Sequence, residues 1–221
     1  MAMAGIESLM DDWEARDLVR RLRKHAGTTY AAEAGISLRD APMPLFQLLV
    51  LCMLASKPID ATIAMRAAKE LFRAGLRTPN SVLTAERSTM IEAFGRAHYV
   101  RYDESSASRL TDLANRVDKD YRGDLRLLAR IAKPDAREAK ALLKQFTGIG
   151  DTGADIFLRE VQDVWPWVRP YFDKRALDTA RELGLPRDAE KLATLSGRAV
   201  APLAAALVRV SLDDDIRDVI G

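Results

Sequence analysis

One acidic residue and one glycine-rich turn are the features of this sequence most suited to catalysis or ligand binding. Asp173 stands directly before a segment with helical spacing, residues 174–183, and the glycine-rich turn at residues 147–150 precedes it in the chain. A carboxylate can stabilise a developing positive charge and can orient or deprotonate water. Because Asp is also a preferred helix N-cap residue, a purely structural role for Asp173 stays open beside the chemical one.

The glycine-rich turn joins two segments that both have the apolar spacing of amphipathic helices. The apolar positions are Ala139, Leu142, Leu143 and Phe146 before the turn, and Ala154, Phe157, Leu158 and Val161 after it. Gly148 and Gly150 flank Ile149, and glycines permit positive φ and a close approach of the backbone to a ligand. The free N–H groups at the start of the second helix could hold a phosphate, although a plain tight turn between packed helices has the same features.

The same turn contains the spacing G-x-G-x-x-G, at Gly148, Gly150 and Gly153, with Asp173 about twenty residues further on. In dinucleotide-binding proteins this fingerprint follows a strand. Here it follows a charged amphipathic helix, residues 138–145, and the segment before Asp173 is rich in proline, which a central strand does not tolerate. The dinucleotide-binding interpretation is therefore rejected.

Composition excludes several kinds of site. The chain has 221 residues with 34 Lys and Arg against 32 Asp and Glu, a net charge of +2, so a nucleic-acid partner would need a local basic face. One cysteine, Cys52, rules out a disulfide framework and a four-cysteine cluster, and two histidines supply a zinc site poorly.

The longest apolar stretch, residues 45–55, is too short to span a bilayer, and no secretory signal is visible. We expect a cytoplasmic protein without a membrane partner.

Helical periodicity dominates the whole chain, and no alternating β pattern or fixed repeat is found. The first helix is expected at residues 8–25, and a central apolar helix begins at Pro44 and stops before Lys57 and Pro58. Asp60 can cap the next helix. The sequence therefore predicts an all-α fold.

Three segments in order resemble the helix-hairpin-helix superfamily of DNA glycosylases, which includes endonuclease III and 3-methyladenine DNA glycosylase II. Residues 146–154, Phe-Thr-Gly-Ile-Gly-Asp-Thr-Gly-Ala, are similar to the family hairpin, Leu-Pro-Gly-Val/Ile-Gly followed by two variable residues, a small residue and Ala. Residues 44–60 resemble the first barrel helix and its DNA-contacting loop. Asp173 takes the position of the family's catalytic aspartate, and the match covers about residues 44–185.

The resemblance implies two helical lobes with an interlobe cleft. A central barrel lobe is expected at residues 43–154, ending in a helix-hairpin-helix at 136–160, and residues 1–42 with 155–221 would form the second lobe. The implied partner is double-stranded DNA containing a damaged base, with no obligate protein partner. Asp173 would stabilise an oxocarbenium-like sugar, an attraction of about 4 kcal/mol at roughly 4 Å and an effective dielectric near 20.

Departures from the family pattern narrow the implied activity. Thr152 stands where bifunctional members carry the lyase lysine, Thr147 replaces the hairpin proline, and the cluster cysteines are missing. The chain therefore resembles monofunctional, cluster-free glycosylases that need no cofactor, and the favoured substrate is an alkylated base. The family hairpin often holds K⁺ or Na⁺ through backbone carbonyls, here those of Lys144, Phe146 and Ile149. The alternatives are a non-catalytic protein that binds DNA structure, and a lyase that uses another amine such as Lys174.

The resemblance also points to further hairpin and DNA contacts. The hairpin set that would bind the DNA backbone is Thr147, Gly148, Ile149, Gly150, Thr152 and Lys144. Candidate contacts to DNA or to an extruded base are Lys57, Arg96, His98, Tyr99, Trp165, Trp167 and Lys174. The two tryptophans could stack on a base, although packing at a helix corner is slightly favoured for them. The segment 95–102 could wedge into the duplex, with a place in the core as the alternative for Tyr99.

Overall fold

The computed structural model describes residues 12–220, and every regular element in that range is helical. The helices are α1 (Asp12–Ala26), α2 (Tyr30–Glu33), α3 (Pro42–Ala55), α4 (Ala61–Arg73), α5 (Pro79–Leu83), α6 (Arg87–Arg96), α7 (Asp103–Tyr121), α8 (Arg126–Ile131), α9 (Ala136–Leu143), α10 (Asp151–Val161), α11 (Lys174–Glu182), α12 (Ala189–Ser196), α13 (Val200–Val210) and α14 (Asp214–Ile220). Short 3₁₀ turns lie at Val100–Tyr102 and Pro166–Val168. The prediction of an all-α chain is confirmed for these residues. The first four residues of the predicted helix 8–25 lie outside the described range.

The chain divides into two compact units, and the polypeptide passes from the first to the second and back. Unit 2 is continuous, Tyr30–Val168, and unit 1 is formed by the segments on either side of it, described over residues 12–29 and 169–220. These boundaries differ from the expected ones at residues 43 and 154. The difference at the second boundary has a packing reason, because α10 packs against α3 and therefore belongs with it.

Unit 1 is built around α13, whose apolar side chains pack against α1 and α11. Five positions of α1 are buried in this core together with residues of the C-terminal helices, namely Ala15, Leu18, Val19, Leu22 and Ala26. Their spacing of three and four residues places them on one face of α1. The core of unit 1 is thus shared by segments that lie far apart in the sequence.

Unit 2 is centred on α3, which is apolar on all its faces as the sequence indicated. Pro42 and Pro44 stand in its first turn, where a missing N–H costs nothing, and its residues from Pro44 to Leu54 are all buried. Helices α4, α7 and α10 pack around it. The loop that follows α3, at Ser56 and Lys57, is therefore fixed next to the start of α10.

Polar contacts attach the first residues of unit 2 to its last helix. The Glu160 carboxylate, which is 2 % exposed, accepts hydrogen bonds from the backbone N–H of Tyr30 at 3.2 Å and of Ala31 at 2.8 Å. The Trp165 indole N–H donates to the Asp40 carboxylate at 2.9 Å. These contacts satisfy buried polar groups and fix α2 against α10.

Within residues 12–220, no helix taken singly has both the length and the apolar character that crossing a membrane requires. Helices α12 and α13 reach that combination only as a pair, and the pair is bent by 112°.

Candidate functional site

The glycine-rich turn connects α9 to α10 in unit 2. Helix α9 starts at the N-cap Asp135, whose side chain accepts from the backbone N–H of Arg137 at 2.7 Å. The turn is held by the Ile149 N–H, which donates to the Phe146 carbonyl at 3.0 Å. Phe146 and Ile149 are buried, and the Phe146 ring stacks on Tyr121 with 5.6 Å between ring centroids. The apolar spacing on both sides of the turn thus produced the two expected helices.

The three glycines at positions 148, 150 and 153 have different surroundings. Gly148 has φ +89°, and a Cβ placed on it would lie 3.1 Å from Arg109 Cδ and 3.2 Å from Met53 Cγ. A Cβ on Gly153 would lie 2.4 Å from Ser56 Oγ, so this glycine allows α10 to approach α3. Gly150 has an ordinary negative φ of −97°, and a Cβ there would meet no atom within 4 Å. Neither backbone strain nor a steric contact with the described residues therefore requires glycine at position 150.

The start of α10 carries hydrogen-bond donors without acceptors. Gly150 is the N-cap and no side chain caps the helix. Among the described residues, the backbone N–H groups of Gly148 and Gly150 have no acceptor. Thr152, in the first turn, is exposed. Uncapped N–H groups at a helix N-terminus attract anions, because the helix dipole adds partial positive charge there.

A carboxylate occupies part of this anion-attracting region. Lys144 Nζ lies 2.8 Å from Asp151 Oδ1, and Lys140 Nζ lies 2.6 Å from Asp155 Oδ1. The hydrogen bond from Lys144 lowers the pKa of Asp151, with further charge contributions from Lys144 and Lys140. Lys144, which was expected to neutralise a phosphate, is thus paired within the hairpin.

Asp173 is the N-cap of α11 in unit 1. Its Oδ1 accepts a hydrogen bond from the backbone N–H of Ala176 at 2.9 Å, and the residue is 9 % exposed. The capping role that the sequence left open is therefore present. Because Asp173 lies in unit 1 and the hairpin in unit 2, the expected interlobe cleft stays a prediction.

Lys57 lies beside cations that the sequence reasoning did not select. Its Nζ is 5.2 Å from the centre of the Tyr102 ring, and the Arg101 guanidinium is 5.4 Å from the same ring. Burial lowers the pKa of Lys57, and the positive charge of Arg109 lowers it further. Arg109 also packs on Gly148, so the loop after α3 and the hairpin share this neighbour.

Arg109 and Arg116 on α7 are the residues that the sequence reasoning missed. They are seven residues apart, which places both on one face of the helix, and that spacing was the available signal. Arg116 donates to the Gln145 carbonyl and, at 2.9 Å, to the Gln145 side-chain oxygen. Its guanidinium also lies 5.5 Å from the centre of the Phe146 ring. Arg116 therefore holds a guanidinium at the turn, and its Nε is also paired with Asp120 Oδ2 at 3.1 Å.

This charge bears on the monovalent cation that the family resemblance implies. The Phe146 carbonyl already accepts the Ile149 N–H, and the Arg116 guanidinium binds the neighbouring carbonyl of Gln145. Arg116 is paired with Asp120 at 3.1 Å, and a carbonyl oxygen has two lone pairs, so K⁺ or Na⁺ at the turn stays a prediction. In the described part of the chain, no group of three or more His, Cys, Asp or Glu residues could hold a metal.

Two aromatic candidates for base contact are buried and act in packing. Tyr99 is 2 % exposed, its hydroxyl lies 3.2 Å from Ser106 Oγ, and burial raises its pKa. Trp165 is also 2 % exposed and donates to Asp40, as described above. Trp167 is half-buried and stacks on Trp165 with 5.5 Å between ring centroids. Of these three rings, only Trp167 keeps an accessible part for a base.

The remaining charged candidates lie on the surface of their units. Arg96 Nε is 3.1 Å from Glu70 Oε2, and His98 is exposed with a φ of +58°. The Lys174 side chain is 84 % exposed, and its Nζ lies 2.5 Å from Asp178 Oδ2. The amine of Lys174 is thus paired rather than poised as a nucleophile.

Comparison of the chain with family models, curated proteins and solved structures finds no match.

Proposed function

We propose that the chain is a monofunctional DNA N-glycosylase that hydrolyses the bond between deoxyribose and a damaged base, with an alkylated base as the favoured substrate. The observation that carries the proposal is the combination of the uncapped α10 N-terminus at Gly150 with the N-capping Asp173 at the start of the next long helix. A phosphate-binding turn and a carboxylate are the two groups that this reaction needs.

The turn would bind the DNA backbone. A phosphate oxygen can approach Gly150 closely, since no atom of residues 12–220 fills the space beside it. The free N–H groups of Gly148 and Gly150 would donate to that oxygen, and the α10 dipole adds to the attraction. Contacts of this kind position a duplex without reading its sequence.

Asp173 would supply the chemistry. As the base leaves, positive charge develops on the sugar, and a nearby carboxylate stabilises that charge and orients the attacking water. The base must first be turned out of the duplex, which is easiest for a damaged or weakly paired base. A cationic alkylated base leaves readily without a general acid, which suits a site with one carboxylate. Thr152 offers no amine for imine formation, so strand cleavage is not expected.

The test compares wild type with Asp173→Asn on duplexes that contain 3-methyladenine, uracil or 8-oxoguanine. Asn caps a helix about as well as Asp, so stability should be retained while the release of abasic sites falls at least about a hundredfold. Asp188→Asn is the matched control, because Asp188 caps α12 in the same unit by accepting from Lys191 N–H at 2.9 Å. Equal activity in Asp173→Asn, or no abasic sites with any duplex, would contradict the proposal.

A second candidate function is a non-catalytic protein that recognises DNA structure. The hydrogen bond from Ala176 favours it, because capping alone explains an aspartate at position 173. This candidate predicts salt-dependent binding to flapped or branched DNA that Asp173→Asn leaves unchanged. A lyase acting through Lys174 is a third possibility, and borohydride trapping of a protein–DNA adduct would identify it.

A further inference from the structure

Two half-buried cations in unit 2 have no acidic partner among the residues that the structure describes. Lys57 and Arg109 are both partly covered by neighbouring residues, yet among residues 12–220 neither has a carboxylate within ion-pair distance. Neither side chain donates a hydrogen bond to any other described group. Like charges held near each other without a counter-charge repel, and an anion bound between them would relieve that repulsion.

These two cations lie against the hairpin turn. Arg109 Cδ would be 3.1 Å from a Cβ on Gly148, so the arginine side chain runs directly over the turn. Lys57 follows Ser56, whose Oγ faces Gly153 of α10, and its Nζ rests over the Tyr102 ring. The cations therefore approach the turn from α7 and from the loop after α3.

We propose that Lys57 and Arg109 form one anion-binding site that grips a phosphodiester of duplex DNA beside the hairpin. A planar guanidinium can bind two phosphate oxygens, and an ammonium acts as a point charge on the same group. The assignment of the phosphate to DNA rests on the proposed function. The site adds a second backbone contact to the one expected at Gly150. Burial lowers the pKa of Lys57, and the positive charge of Arg109 lowers it further, which places the two cations near each other.

The experiment measures binding of a fluorescein-labelled, undamaged duplex to the full-length protein over a range of salt concentrations. The variants are Lys57→Met, Arg109→Met and the double variant, and methionine keeps most of the apolar packing of each side chain. Each single variant should raise Kd about three- to tenfold. The double variant should lower the slope of log K against log salt by about 0.9, the value for one phosphate.

Matched controls distinguish a loss of binding at this site from the effect of lowering the overall positive charge of the protein. Lys69→Met and Arg66→Met remove the same charges from exposed positions on α4 and should leave Kd and slope unchanged. Arg109→Lys should recover most of the affinity. Equal losses in the controls, or a slope change of about 1.8 in the double variant, would overturn a shared site.

Two further outcomes locate the source of the phosphate and separate this site from the enzyme proposal. Sodium phosphate and sodium chloride at equal ionic strength should displace the duplex equally. Much stronger displacement by phosphate would show that the site binds free phosphate and would overturn the assignment to DNA. If no duplex yields abasic sites, the glycosylase proposal fails, while the salt slopes still decide the fate of the anion site.

Discussion

At the residue scale, the hairpin contains a carboxylate, Asp151, that competes with a DNA phosphate for the N-terminus of α10. Asp151 stands in the first turn of α10, where the free N–H groups attract anions, and it holds Lys144 in an ion pair. A bound phosphate would have to approach this carboxylate. Lys144 would become free to bind a phosphate if the negative charge of Asp151 were removed.

Replacing Asp151 with Asn should therefore tighten binding of an undamaged duplex. Removal of the carboxylate ends its repulsion of phosphate and releases Lys144, so the slope of log K against log salt should steepen by about one. Fluorescence anisotropy over a salt series measures both quantities. Asp214→Asn, which removes an equal charge from an exposed position in unit 1, should change neither, and weaker binding by Asp151→Asn would show that the carboxylate assists binding.

Lys57 gives a prediction on stability and pH. Because its pKa is lowered in the folded state, the charged side chain destabilises the fold wherever it is protonated, and this penalty disappears above the unfolded pKa, about 10.4. Lys57→Met should therefore raise Tm at pH 7, and the difference from wild type should shrink as the pH approaches 10. Differential scanning calorimetry at several pH values tests this. A lower Tm at pH 7, or a rise matched by Lys69→Met, would contradict it.

At the element scale, the hairpin shows what local spacing can and cannot predict. The periods of 3 and 4 residues on both sides of the turn predicted α9 and α10, because a helix buries one face wherever it packs. The spacing could not predict that Arg109 would lie over Gly148, since that contact depends on how α7 packs against the turn. For the same reason the sequence left Tyr99 and Trp165 as candidates for base contact, although both are buried.

Two glycine substitutions in the hairpin should affect different properties, the first the stability of the fold and the second the binding of DNA. Gly148→Ala forces a side chain into a left-handed backbone and against Arg109 and Met53, so it should reduce the free energy of unfolding by about 1–3 kcal/mol. Gly150→Ala has ordinary φ and open space, so it should change stability by less than about 1 kcal/mol and yet weaken duplex binding.

Urea denaturation and duplex binding measured on both variants check this pair. The result for Gly150→Ala is the more informative, because the space beside position 150 is open to an external ligand. Unchanged duplex affinity in that variant would show that the backbone does not approach a phosphate there.

At the scale of the whole molecule, the two units differ in how their cores are assembled. Unit 2 is one continuous segment with its own apolar centre in α3. The Glu160 carboxylate on its last helix, α10, accepts a hydrogen bond from the backbone of Ala31 near its start. Unit 1 needs α1, from the N-terminal segment, to complete the core around α13.

A fragment of residues 30–168 should therefore fold alone, whereas residues 169–221 should not. Circular dichroism should show a cooperative thermal transition for the first fragment, and the second should gain helix only when a peptide of residues 12–29 is added. The first fragment should also bind duplex DNA and release no base, because it lacks Asp173. A non-cooperative melt of residues 30–168 would contradict an independent core.

The setting of the single thiol has a practical consequence for studying motion between the units. Cys52 is fully buried in α3, and burial raises its pKa well above the ordinary value, so it is a poor nucleophile toward maleimides at neutral pH. Cysteines introduced one on each unit could thus accept a donor and an acceptor dye without mutating the native residue. Energy transfer between the dyes would then report directly whether the two units approach each other when a damaged duplex is added.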